Sequence, residues 1–235
     1  MSSSWQSLGA SLAADLQRVF GPRLLSVVAY GPRVEGHEDA PLSTLALVSA
    51  LTTEDLEACG RLSPEWLGAS IATPLVLPQD EFRASLDVFP LEYGEIIRTH
   101  ARVFGDDPFA GLTIAAEDLR RACETQIKSH LLHLRQGFIE SRGRLAPVAT
   151  LVLTAAPAFA ALLRNVARLG GVETRDRLEA TRAGARAVGL AETTVDAILA
   201  LEHPGAMPTT DPARLFPEYL AAVEQLAHAV DTWRR

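Results

Sequence analysis

Cysteine and aromatic residues are scarce in this sequence. Aromatic residues make up 6% of the 235 positions, and the two cysteines, Cys59 and Cys123, lie far apart. Two isolated cysteines give neither a metal-ligand spacing such as CxxC nor a disulfide framework. The sequence therefore predicts a protein of the reducing cytoplasm, with no structural metal site.

Basic residues and long apolar runs are limited as well. Lys128 is the single lysine, and the net charge is -7, which gives no general attraction to nucleic acid. No run reaches the roughly 18 apolar residues that span a bilayer, and the first residues lack the pattern of a signal peptide. The most apolar stretch, 148–163, includes Thr154 and Pro157 and predicts a buried helix. We expect neither a nucleic-acid nor a membrane partner.

Several well-known binding motifs are absent. Gly31 and Gly36 have the spacing that opens a P-loop, but no Lys-Ser or Lys-Thr follows them. The dinucleotide fingerprint GxGxxG and the GxSxG nucleophile elbow do not occur. These absences exclude the commonest sequence signatures of nucleotide binding and of serine hydrolases.

The first half of the chain alternates strand and helix patterns. Apolar residues recur at helical spacing over 8–20, and a capping sequence at Thr52 predicts a helix that extends through Cys59. A further helix is predicted to start at 78–80. Short apolar or β-branched runs predict strands at 24–30, 42–51, 71–77 and 86–90, with an edge strand at 99–104. This order indicates an α+β domain over residues 1–112.

The second half contains no convincing strand pattern. Helical patterns joined by short loops cover 117–141, 147–169, 174–188, 193–201 and 211–233. Such an arrangement is typical of an antiparallel helical bundle. We predict a second, all-helical domain over residues 113–235.

The hairpin pattern at 26–50, SVVAYGPRVEGHEDAPLSTLALVSA, has the most specific resemblance in the chain. It consists of two buried strands joined by a loop that opens at Gly31. It resembles the first hairpin of the nucleotidyltransferase superfamily, in particular the kanamycin-nucleotidyltransferase type, as does the order of a mixed sheet followed by a helical bundle. The resemblance implies transfer of a nucleoside monophosphate from a nucleoside triphosphate. It also implies two Mg²⁺ ions held by a Ser-Asp-x-Asp pattern on the second strand.

The residues that carry this chemistry in the family are replaced here. Thr44 and Ala46 stand at the positions of the two metal-binding aspartates, and Pro32 replaces the loop serine. Proline has no N–H to donate to a phosphate, and Mg²⁺ prefers charged oxygen ligands. Asp87, on the predicted strand 86–90, is the one remaining carboxylate, and a single carboxylate does not hold two metals. The chain therefore lacks the catalytic aspartate pair.

Two groups of residues are candidates for contacting a nucleotide. The first lies in the hairpin loop and consists of Gly31, Arg33 and Glu35. The second lies on the long predicted helix 117–141 and consists of Lys128, His130 and Arg135, whose side chains could bind a phosphate. Neither group has a metal-ligand pattern.

Three functional hypotheses follow. The first is a degenerate nucleotidyltransferase-fold protein that binds a nucleotide, another small ligand or a protein partner, with no cofactor. The second is an active nucleotidyltransferase that modifies a small-molecule or protein hydroxyl, using Mg²⁺ with a nucleoside triphosphate. It would rely on displaced carboxylates at Glu35, Asp39 and Asp87. The third is a structural module that forms a homodimer through the alanine-rich stretch 155–161.

Overall fold

The computed structural model describes residues 4–172, 174, 176–202 and 211–233. It divides the chain into two compact units, Met1–Ile114 and Ala115–Arg235. The first unit contains α1 Trp5–Phe20, β1 Leu24–Tyr30, β2 Ser43–Val48, α2 Thr53–Gly68, β3 Leu75–Pro78, α3 Gln79–Ala84, α4 Pro90–Thr99 and β4 Ala101–Gly105. The second contains α5 Ala116–Ser141, α6 Leu145–Leu169, α7 Arg177–Ala187, α8 Glu192–Leu199 and α9 Pro212–Asp231.

The four strands form one mixed sheet in the order β3-β2-β1-β4. β1 pairs antiparallel with both β2 and β4, whereas β2 pairs parallel with β3. The predicted hairpin of β1 and β2 is confirmed, and β4 is the predicted edge strand. The fold class is α+β, as the strand and helix patterns indicated.

Helices cover both faces of the sheet within this unit. Successive side chains of a strand point to opposite faces, so each strand of the hairpin contributes to two cores. Ala46 and Val48 pack with α1 and α2 in one core. Leu45 and Leu47 pack in the other with Phe82 of α3 and with residues of α4. β2 is consequently buried on both of its faces.

The strand predicted at 86–90 is not present. The Val88 and Phe89 N–H groups both donate to the Ser85 carbonyl, which makes this segment a turn. α4 begins at Pro90, whose fixed φ suits the first helical position. Asp87 and Val88 are exposed, so the short apolar run that suggested a strand is not buried as a core strand would be.

The start of α2 was predicted correctly, although the helix extends well past Cys59. Thr52 and Asp55 form a complete capping box at the first turn. Arg23 donates to both carboxylate oxygens of Asp55, at 2.6 and 2.7 Å. This contact ties the start of α2 to the start of β1, and it lowers the pKa of Asp55 to about 2.

In its described residues, the second unit consists of helices and the short loops that join them. α6 lies at its centre and contacts α5, α7 and α9. α6 is the one described helix that meets the length and composition criteria for a membrane span. Ala156, Phe159 and Ala160 are fully buried, so part of the alanine-rich stretch forms the core of its own unit. A homodimer formed through that stretch stays a prediction.

Candidate functional site

The loop after β1 is a compact turn in which backbone N–H groups donate to carbonyls of the same loop. Gly31 has a φ of 79°, a left-handed conformation that favours glycine. Its carbonyl accepts from the N–H groups of Val34 and Glu35, at 3.0 and 3.3 Å. The His37 N–H donates to the Pro32 carbonyl at 3.0 Å. The N–H groups of Gly36 and Ala40 also donate to carbonyls of the loop. In the family that the hairpin resembles, free N–H groups of this loop approach a triphosphate, but here five of them are bonded inside the loop.

Arg33 connects the two ends of this loop. Its side chain is buried, and its guanidinium donates to the Ala40 carbonyl at 2.8 Å. Glu35 is half-buried in the same turn. The structure thus brings Gly31, Arg33 and Glu35 together in one turn, and Arg33 has a structural role there whatever else it binds.

Thr44 and Ala46 are core residues. Their exposed fractions are 1% and 0%. Ala46 packs in the core formed with α1 and α2, and Thr44, two positions earlier on the strand, lies on the same face. The hydroxyl of Thr44 forms no hydrogen bond with any described residue. Both positions therefore lie in the interior of the first unit.

The residues on β2 do not fit the two-metal site that the family resemblance implies. Ala46 has no ligand atom, and Thr44 offers one neutral hydroxyl. Leu45 and Leu47, on the opposite face, offer none. Mg²⁺ is usually held by one or two carboxylates together with substrate phosphates, and none of these four side chains is a carboxylate. In the part of the chain that the structure describes, no group of three or more His, Cys, Asp or Glu side chains could hold a metal ion.

Of the three carboxylates proposed as replacements, the half-buried Glu35 shares the β1–β2 loop with Asp39, whereas Asp87 lies on another segment. Asp39 is exposed near the end of the β1–β2 loop, and Asp87 is exposed in the turn before α4. Asp87 was expected on a strand beside the hairpin, and that expectation is wrong because no strand forms there.

Lys128 and Arg135 make ion pairs on the surface of the second unit. Lys128, on α5, pairs with Glu124 of the same helix and with Asp231 of α9, at 2.9 Å for the latter. Arg135 pairs with Glu224 of α9 at 2.8 Å. All these side chains are at least partly exposed, so the pairs contribute little to stability and could exchange for another anion.

His130 has a different environment from its two neighbours. Its Nε2 lies 2.8 Å from the Tyr219 hydroxyl, and its ring stacks against Phe159. Burial, with a smaller contribution from nearby His133, lowers the pKa of His130 to about 4. A neutral, half-buried imidazole that already has a hydrogen-bond partner is a poor phosphate ligand. Sequence reasoning missed this pair, because 89 positions separate the two residues and no motif links them.

Comparison with known proteins adds evidence at the level of the fold. No protein-family model matches the sequence, and no curated protein sequence does. Among solved structures, a spectinomycin adenyltransferase from Enterococcus faecialis, with ATP and spectinomycin, is similar over 94% of this chain and 98% of its own. The TM-score is 0.56 and the sequence identity 14%. The fold is nucleotidyltransferase-like. This similarity confirms the nucleotidyltransferase-like α+β fold that the hairpin suggested. At 14% identity it shows the fold alone, so any activity has to be argued from the residues of this chain.

Proposed function

We propose that this nucleotidyltransferase-like protein binds a small ligand, with a nucleotide as the first candidate, and does not catalyse two-metal nucleotidyl transfer. The observation that carries the proposal is the burial of Thr44 and Ala46 in the core beneath α1 and α2. A transferase that uses two metals needs carboxylates at a surface that the substrate can reach. The family-like hairpin supplies none on β2.

The loop geometry supports the same proposal. Donors that would cradle a triphosphate are bonded to the Gly31 and Pro32 carbonyls. A nucleotide that binds here would need other contacts, and the structural neighbour, with its ATP, makes a nucleotide a reasonable first ligand to test. We expect any such binding to be independent of Mg²⁺, because β2 carries no carboxylate pair that could hold a metal beside the phosphates.

Calorimetric titration with ATP, with and without Mg²⁺, measures the binding half of the proposal. We expect the same affinity in both conditions.

Two variants locate the nucleotide site. Arg33→Gln removes the cation of the β1–β2 loop, and a Lys128→Gln/Arg135→Gln double variant removes the cations of α5. Arg61→Gln, an exposed position on α2, is the matched control. Thermal unfolding of each variant shows whether Arg33→Gln still folds. If ATP does not bind, the ligand is of another class, and the nucleotide part of the proposal is wrong.

A pyrophosphate-release assay with ATP, Mg²⁺ and spectinomycin measures the catalytic half. We expect no release above the background without protein. Metal-dependent release that disappears in Asp87→Ala, but persists in the exposed control Asp80→Ala, would establish the active enzyme with displaced carboxylates instead.

A further inference from the structure

A cavity of about 270 Å³ lies in the first unit, at the end of β1 remote from the Gly31 loop. Its polar lining comes from three separate elements and consists of Ser26, Gln79, Arg83, Asp106 and Asp107. Gly31 follows the last residue of β1, whereas Ser26 lies near the first. The hairpin loop and this cavity are therefore different sites, and an inference about the cavity does not depend on the proposed function.

Backbone geometry places the two aspartates beside Ser26. Ser26 pairs with Gly105 in the antiparallel register of β1 and β4. Gly105 has a φ of 73°, and a Cβ there would lie 2.1 Å from the Leu25 carbonyl oxygen. Only glycine allows the backbone to approach β1 so closely. Gly105 is the last residue of β4, and Asp106 and Asp107, which line the cavity, follow it directly.

Gln79 and Arg83 reach the cavity from α3. They are four positions apart, so they share one face of this short helix. Phe82, on the same helix, is fully buried in the core of Val28 and Leu45, which fixes α3 over the sheet. Arg83 forms no hydrogen bond or ion pair with any described residue. Its side chain is exposed, as are those of Asp106 and Asp107, so all three charges lie at the open side of the cavity.

Ser26 provides the observation that most clearly indicates a ligand. Its side chain is 3% exposed, and its hydroxyl has no hydrogen-bond partner in the part of the chain that the structure describes. A buried polar group without a partner is costly and uncommon in folded proteins. Asp107, by contrast, accepts from the Phe109 N–H at 2.9 Å and lies 3.3 Å from His100 Nε2, so it is already partly engaged.

The charges of the lining select the class of ligand. Arg83 would repel a metal ion, and Asp106 with Asp107 would repel a purely anionic ligand such as a phosphate. A guanidinium matches a carboxylate in a two-point contact, and carboxylates accept from an ammonium group. The volume is slightly below the range usual for drug-sized ligands. We propose that the cavity binds a small zwitterion with a carboxylate and an ammonium group, of the amino-acid class.

A screen of the twenty standard L-amino acids by thermal shift, followed by calorimetry, tests this proposal. We expect at least one to stabilise the protein at millimolar concentration. Its N-acetyl and methyl ester derivatives, each lacking one charge, should bind at least about tenfold more weakly. The proposal is overturned if no amino acid binds, or if the derivatives bind as tightly as the parent compound.

Three variants locate the binding. Ser26→Ala and Arg83→Gln should each weaken it about tenfold or more, the equivalent of about 1.4 kcal/mol, whereas Arg61→Gln on α2 should leave it unchanged. Because the Ser26 hydroxyl has no hydrogen-bond partner among the described residues, Ser26→Ala should leave the ligand-free protein as stable as the wild type or more so. Wild-type affinity in both Ser26→Ala and Arg83→Gln would contradict the assignment, even if an amino acid binds elsewhere on the protein.

Discussion

At the scale of single residues, buried polar side chains are the most informative about where a ligand could bind. Thr44 and Ser26 both have buried hydroxyls without a hydrogen-bond partner among the described residues, yet their surroundings differ. Ser26 lines a cavity with charged neighbours, whereas Thr44 lies on the strand face that packs beneath α1 and α2. We therefore interpret the first as a ligand contact and the second as a residue of the core.

Replacing Thr44 by valine should keep the stability of the protein or increase it. Valine has nearly the same shape, and the change removes a buried hydroxyl that no described group pairs with. We expect a gain of about 0–1 kcal/mol in the free energy of unfolding, measured by urea denaturation. A loss of more than about 1 kcal/mol would indicate that the hydroxyl has a partner after all.

His130 should make the stability of the second unit depend on pH. Its pKa is about 4 in the folded protein and 6.5 in the unfolded chain, so the unfolded chain binds the proton more readily. The stabilisation is complete above pH 6.5 and is lost progressively as the pH falls towards 4. Allowing for partial exposure of the ring, the loss at pH 5 relative to pH 7 should be about 1–2 kcal/mol.

The matched variants are His130→Gln and His133→Gln, compared with the wild type by urea denaturation at pH 7 and pH 5. Glutamine stays neutral and can still bond to Tyr219, so His130→Gln should remove this part of the pH dependence. His133 is exposed and makes only the smaller contribution to the lowered pKa of His130, so its replacement should preserve most of that dependence. Identical pH profiles for His130→Gln and the wild type would show that the imidazole is not protected from protonation.

At the scale of the elements, the sequence predicted those whose local pattern agrees with their packing. β1, β2 and α5 were expected within a few residues of their observed bounds. The two strands have short apolar runs, and α5 has apolar residues at helical spacing. The segment 86–90 was predicted wrongly. Its few apolar residues fitted a strand, but Pro90 and the buried Leu91 and Ile96 fit the start of α4 better.

The contact of α6 with α7 should fail if a single methyl group is added at Gly184. A Cβ at this position would lie 1.9 Å from the Leu163 carbonyl oxygen, which is backbone and has little room to move. Gly184→Ala should therefore lower the free energy of unfolding by about 2–4 kcal/mol. Gly60→Ala is the control, since Gly60 is also helical but faces open space. It should raise the stability by about 0.5–1 kcal/mol. Equal effects of the two variants would contradict the close helix contact.

At the scale of the whole molecule, the fold was predictable and the candidate site only in part. The resemblance of the hairpin predicts that Thr44 and Ala46 stand at the metal positions of nucleotidyltransferases, and this correspondence stays a prediction. It did not reveal that both lie beneath α1 and α2, since a shift of one residue in strand register reverses the face to which a side chain points. Nor could it reveal the bonded N–H groups of the Gly31 loop, which depend on backbone geometry that no residue pattern encodes.

The central claim is that Thr44 and Ala46, where the resemblance predicts metal-binding aspartates, are part of the core of the first unit. Ala46→Asp tests it most directly, with Ala50→Asp as a control at an exposed position just after β2. The measurement is the free energy of unfolding of both variants with and without Mg²⁺. We expect Ala46→Asp to lose about 3 kcal/mol or more, because its carboxylate would be buried without a partner, and Mg²⁺ should not restore the loss. Wild-type stability, or recovery on adding Mg²⁺, would show that position 46 faces a site open to metal and would contradict the account.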